Sequence, residues 1–175
     1  RFRDNRSEQL IVLTNGGGTG VMAADTAADV GIPLATLSPT VVNKLDALLP
    51  DGGWSRTNPI DIGNDAPPQR YTDVLQLLRE ERDSAILLVQ APTALVSSTD
   101  IAQALLPVAS QRPPRVLASW LGHHTVAPAR ALFRQAGIPE YPTPEEAVQA
   151  FSFLRQYHRH QAELMETPAA TPIGS

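Results

Sequence analysis

Six short apolar runs, separated by stretches of helical spacing, constrain this chain more than any other feature of it. "QLIVLT" (9–14) reads as a buried strand, and Val21 to Val30 as the following helix, ended by Gly31. "PLATL" (33–37), "PIDIG" (59–63), "SAILLVQA" (84–91), "RVLASWL" (115–121) and "IPEY" (138–141) supply five further strands, the last an edge strand. The run 84–91 is apolar on both faces, as a covered parallel strand should be. Between the runs, Ser38 caps a helix over Val41, Leu45 and Leu48 that stops at Pro50 and Gly52–Gly53. Pro67 and Pro68 open another, with Tyr71, Val74, Leu75 and Leu78 on one face. A helix starts at Ser98 or Thr99, and the next carries Ala129, Leu132, Phe133 and Ala136 and ends at Gly137. The final helix begins near Pro144 and places Ala147, Phe151, Leu154 and Tyr157 on one face.

Roughly six βα repeats with no hairpin signal imply a three-layer α/β fold: a doubly wound, mostly parallel sheet of flavodoxin or Rossmann type. In such a sheet the functional loops lie at the carboxyl ends of the strands. "NGGGTG", "GNDAPP", "APTALVSST", "LGHHTVAP" and "PTPEE" all fall there. One edge therefore collects most of the unusual residues.

The chain has 175 residues, 42% of them hydrophobic, which suits one globular domain. A net charge of −4 argues against a nucleic-acid partner, because phosphate-backbone binding needs a basic face. No cysteine is present, so disulfides, thiolate metal sites and cysteine nucleophiles are excluded, which fits a reducing cytoplasm. No apolar run approaches the roughly 20 residues that span a bilayer, and no signal peptide opens the chain. The expected organisation is a linker over 1–8, a domain over 9–162 and a linker or tail over 163–175. Arg1 as first residue and the Pro/Ala/Thr tail read as a segment of a longer protein.

The loop "NGGGTG" is the chemical feature of the carboxyl edge. A strand that runs through glycines into a helix exposes backbone N–H groups at the positive helix end, which suits a phosphate or carboxylate. Gly17, Gly18 and Gly20 would allow close approach of the anion, although a tight βα turn could also call for glycines. No Gly-Lys-Ser/Thr follows, so the loop is not a Walker A motif, and it lacks the third glycine and acidic ribose partner of a dinucleotide fingerprint. Asn58-Pro59 with Asp61 could bring polar groups beside it, though Asn-Pro is also a common turn. His123 and His124 are adjacent and face different ways, a poor metal pair, and no metal site is expected. His158 and His160, on the last helix among Arg155 and Arg159, read as a solvated helix face, and Asp25 as a solvated or capping carboxylate. Ser97, Ser98 and Thr99 suit a helix start, since no His–Asp pair is spaced to activate them.

With these loops laid out, the sequence resembles the nucleoside-diphosphate-forming acyl-CoA synthetases, the superfamily that includes succinyl-CoA synthetase. It looks like their terminal flavodoxin-like CoA-ligase domain, through "LTNGGGTGVMAAD", "LSPTVVNKLDALLP", "NPIDIGNDAPPQRYTDVLQLL", "ILLVQAPTAL", "LASWLGHHTVAPARALFRQAGIPEYPTPEEAV" and "YHRHQAELMETP". These stretches run in family order from about residue 10 to 168. The closing stretch is similar to acetate–CoA ligase-type proteins fused to a GNAT-type protein acetyltransferase domain.

The resemblance implies that phosphate passes between nucleotide and acyl-CoA through a phosphohistidine carried by another domain. It implies that Asn15, Gly16, Gly17, Gly18, Thr19 and Gly20 donate N–H groups to the phosphoryl group at a helix start. Asn58, Pro59 and Asp61 match a neighbouring loop, and Pro92 and Thr93 a strand-end loop on the acyl side. The phosphohistidine belongs to a Ser-His-Thr-Gly context in another domain, so "GHHTVA" does not inherit that role, and no catalytic residue is expected within this segment. The parent enzyme is expected to use CoA, ATP/ADP and Mg, none of them bound by this domain alone. CoA-binding, phosphohistidine and ATP-grasp domains are the implied partners, with a GNAT domain where the parent is a fusion. The isolated segment should be inactive. The alternative is a regulatory synthetase-like module of a lysine acetyltransferase. A flavin mononucleotide domain ranks last, because the loop lacks a hydroxyl-rich T/S-x-T-G-x-T pattern.

Overall fold

The computed structural model describes residues 1–51, 53–166 and 168. Five strands, β1 (Gln9–Thr14), β2 (Ile60–Asp61), β3 (Ser84–Gln90), β4 (Val116–Trp120) and β5 (Glu140–Tyr141), form one sheet in the order β2-β1-β3-β4-β5. Every pairing is parallel, so the sheet is wholly rather than mostly parallel. The order is the flavodoxin-like 2-1-3-4-5 arrangement, with its switch point between β1 and β3.

Six helices cover the two faces. α1 (Gly17–Asp29) and α6 (Pro144–Met165) pack together on one side. α2 (Pro39–Leu48), α3 (Pro68–Leu78), α4 (Ser98–Ala109) and α5 (Ala127–Gln135) form a row on the other. The alternation of side chains along a strand divides the core between these layers. Ile11, Leu13, Ile86, Leu88 and Trp120 face the row of four helices. Leu10, Val12, Ala85, Leu87 and Val89 meet Ala23, Ala27, Ala147, Val148 and Phe151. All seven residues of β3 are buried, as its unbroken apolar pattern requires.

Two expectations are corrected. "PLATL" (33–37) is not a strand: only Leu34 bridges, to Leu10 of β1. The cause is Asn58, whose side-chain amide enters the space beside β1. Its Oδ1 accepts from the Val12 N–H at 2.9 Å, and its Nδ2 donates to Leu10 O at 2.9 Å and Ala35 O at 3.1 Å. One side chain thus replaces a stretch of backbone ladder, and β2 takes the edge beyond it. The sheet has five strands, not six.

The second correction concerns α6. Tyr157 is exposed rather than sharing the core face with Phe151, because the helix runs on past the sheet. Arg155 and His158 there are not freely solvated: they meet the leading segment. Arg155 and Arg159 pair with Glu8 at 2.6 and 2.7 Å, and the His158 ring contacts Arg6 and the Arg3 carbonyl. Within residues 1–8, Phe2–Asp4 forms a 3-10 turn, and buried Asn5 donates to Pro114 O. Of the tail over 163–175, Thr167 and residues 169–175 lie outside the described residues, as does Gly52 in the stop after α2.

Candidate functional site

The carboxyl edge of β1 is closed from below before it opens above. Asn15, 3% exposed, reaches across the switch point to β3. Its Nδ2 donates to Ala91 O and its Oδ1 accepts the Ala91 N–H, both at 2.8 Å. The Asn15 side chain is therefore a clasp between strands, bound to the Ala91 backbone through both its oxygen and its nitrogen. The Gly16 N–H is engaged too, donating to the Thr14 hydroxyl at 3.2 Å. That hydroxyl lies 2.7 Å from Thr19 Oγ1, which donates to Gly16 O at 2.8 Å. Gly20 N–H closes the first helical bond, to Gly16 O.

Three amides remain. Gly17, Gly18 and Thr19 occupy the first turn of α1, where N–H groups have no intrahelical acceptor, and no side chain caps them. α1 begins at Gly17, four residues before the expected Val21, so these amides lie at the positive end of a thirteen-residue helix. Gly17 and Gly18 are both exposed.

The glycines have separable causes. None of the four has positive φ, so a left-handed turn is not the reason for them. Gly20 is a packing glycine: a Cβ there would stand 3.1 Å from Thr14 Cγ2 and 3.2 Å from Pro59 Cβ. Gly18 would meet nothing within 4 Å. Within a helix it costs about 1 kcal/mol relative to Ala, with neither packing nor backbone geometry to justify it. What the missing side chain leaves is open access to the backbone.

The neighbouring loop arrives only in part. Pro59 packs on Gly20, and Asp61 lies beside Gly17, its Oδ2 3.6 Å from where a Gly17 Cβ would stand. Asp61 Oδ1 accepts the Gly63 N–H at 2.9 Å. Asn58, by contrast, is turned away into the β1 backbone. Thr93 accepts from the N–H groups of Leu95 and Val96 and so shapes its own loop, while Pro92 abuts Gly122. Ser97 caps α4, and buried Ser98 donates to Gln90 Oε1 at 2.9 Å. His123 and His124 are exposed on the loop after β4. Among the described residues, no three His, Asp or Glu side chains cluster to hold a metal ion.

Thr14, Tyr71 and Gln90, none of them marked as a site residue by the sequence, make the floor of this edge polar. Burial raises the Tyr71 phenol well above its ordinary pKa; the Gln90 amide opposes the shift and the Asp61 carboxylate adds to it. The available signal was a lone polar residue ending each of two apolar strands, Thr14 and Gln90. Concavity points elsewhere. A cleft of about 570 Å³ opens at the amino edge, lined by residues 4–9, Arg82, Asp83 and 113–115. Its buried cation, Arg115, is already engaged by the carbonyls of Arg79, Glu81 and Ser84, and burial, reinforced by Arg79, lowers its pKa to about 10. The carboxyl edge adds accessible backbone donors at a helix end, so chemistry rather than hollow volume marks the site.

A Ligase-CoA domain model matches residues 10–164. The ADP-forming acetate–CoA ligase I of Archaeoglobus fulgidus is 32% identical over 159 residues, covering 90% of this chain and 22% of that protein. The alpha subunit of the Pyrococcus furiosus ADP-forming acetate–CoA ligase I is 26% identical, covering 92% of this chain and 35% of the subunit. Among solved structures, the apo form of acetyl-coenzyme A synthetase 1 from Ca. Korarchaeum cryptofilum superposes with a TM-score of 0.85 at 31% identity. It covers 95% of this chain and 37% of its own, and a second structure of that protein holds phosphate and ADP. This chain thus spans about a fifth to a third of these relatives. With that family model matched over nearly its whole length, the chain belongs to the Ligase-CoA domain family.

Proposed function

We propose that this chain is the terminal CoA-ligase domain of an ADP-forming acyl-CoA synthetase, and that the start of α1 receives a phosphoryl group carried on a histidine of another domain. The observation that supports this reading is Gly18: an exposed glycine that neither packing nor φ requires, between two free amides. Backbone donors held by a helix need no reorganisation as charge arrives and departs, which is how such groups stabilise a transferring phosphoryl. Gly17, Gly18 and Thr19 are the donors; Asn15, Gly16 and Gly20 hold the loop in shape. Pro59 and Asp61 flank the site, and Pro92 and Thr93 form the neighbouring strand-end loop.

In this reading residues 9–162 are the domain unit, and CoA, ATP/ADP and Mg are bound by the CoA-binding and ATP-grasp domains of a cytoplasmic parent. The alternative is a regulatory module of a GNAT-type lysine acetyltransferase. A parent with a GNAT domain and no Ser-His-Thr-Gly histidine would favour that alternative.

The test is Gly18→Val in the full-length parent. The open space at this position leaves the fold intact, while the branched side chain covers the amides. Phosphoryl transfer should fall by at least ~100-fold, the scale of losing a preorganised donor. Unchanged turnover with an unchanged circular dichroism spectrum would refute the role of α1.

A further inference from the structure

We propose that Asp61 is an electrostatic filter over the start of α1, one that weakens binding of free inorganic phosphate while admitting a phosphoryl group delivered on a tether. This rests on the reading of α1 given above. Asp61 Oδ1 is held by the Gly63 N–H, which fixes the carboxylate in place. Oδ2 has no hydrogen-bond partner among the described residues and lies against Gly17. No cation stands within 4 Å of this carboxylate among the described ion pairs. Nor does the first turn of α1 carry an acid of its own. Arg70, the cation of this loop, is engaged by Ile62 O and Asp65, so Asp61 stands as a counter-charge to the helix end without capping its amides.

A dianion entering from solution meets those amides and a fixed negative charge together, and like charges at this range disfavour it. A tethered group meets the same repulsion but arrives at an effective concentration in the millimolar range or above, which offsets a weak intrinsic hold. The same weak hold lets the group leave. The filter thus keeps ambient phosphate from occupying a socket meant for transient use.

The experiment is a phosphate titration of the 175-residue chain, followed by amide resonances of Gly17, Gly18 and Thr19, for wild type and Asp61→Asn. Asn keeps an oxygen for the Gly63 N–H and removes the charge. At fixed ionic strength the variant should bind inorganic phosphate at least ~10-fold more tightly, which is about 1.4 kcal/mol. Asp61→Ser, run alongside, should move the affinity the same way if Asn disturbs the Gly63 turn. Equal affinity in all three proteins overturns the filter and leaves the α1 reading standing, as does weaker binding in both variants. No shift of the three amides in any protein sinks both.

Discussion

α1 and α6 lie side by side on one face of the sheet and begin in opposite ways. At α6 the Thr143 hydroxyl accepts the Glu146 N–H at 3.1 Å, and Glu145 and Glu146 place negative charge in the first turn. α4 repeats the device, with Ser97 accepting from Asp100 and Asp100 itself the acid. α1 has glycine where these have a cap, no acid in its first turn, and three free amides. A helix end left to solvent is ordinarily closed by its own sequence. α3 and α5 are uncapped too, but each puts a proline in its first turn, whereas α1 puts glycine there and leaves its amides accessible, which suits an end that serves something outside the domain.

The sharpest way to break this contrast is at the clasp beneath the open end. Asn15→Ala would leave the half-buried Ala91 N–H without its partner, at about 1–3 kcal/mol, while Ala91 O keeps the Gln90 side-chain amide as a donor. A loss of ~1–3 kcal/mol in urea unfolding is expected, more than any change at an exposed glycine. A loss below ~0.5 kcal/mol, within the usual range for a featureless surface site, would mean that Asn15 is not what holds the loop to β3.

The two helix starts should then answer to substitution with opposite signs. Thr143→Ala removes a cap and should cost about 1 kcal/mol. Gly18→Ala places a methyl in open space at a helical position and should stabilise the chain by up to ~1 kcal/mol. Thermal unfolding of both variants in parallel tests the pair. If Gly18→Ala destabilises, the glycine has a structural purpose after all, and the argument from its redundancy fails.

The sequence shows the strands at 9–14 and 84–91 because their evidence is local: uninterrupted apolar residues bounded by polar ones. The cap at Ser38 and the helix opened by Pro67–Pro68 are legible for the same reason. The segment 33–37 misleads because its partner ladder is displaced by Asn58, more than twenty residues further on. Within the site, "NGGGTG" is visible as a motif, but its division of labour is not. Asn15 is a clasp only because Ala91, 76 residues away, directly follows the neighbouring strand. Gly18 and Gly20 look alike in sequence and differ only in what surrounds them: empty space at one, Thr14 and Pro59 at the other. The charged leading segment gives no hint of its partners either, since Arg155 is 147 residues from Glu8.

That last contact gives the smallest effect and extends the comparison to the far end of α6, where charge rather than capping does the holding. Burial alone would raise the Glu8 pKa, but hydrogen bonds from Arg159 and Arg155 outweigh it and hold the carboxyl below its ordinary 4.5. A depressed folded-state pKa contributes stability that is present above the unfolded value and is lost as pH falls through the folded one. Glu8 is about half exposed, so solvent screening limits the pair to ~1 kcal/mol or less. Glu8→Gln should therefore be slightly less stable than wild type at pH 7, and the gap should close as pH falls below about 4, where the unfolded carboxylate is protonated. Added salt should narrow it at pH 7 as well. A deficit that persists unchanged at pH 3 would show that the leading segment is held to α6 by packing, and that the Glu8 charge is incidental.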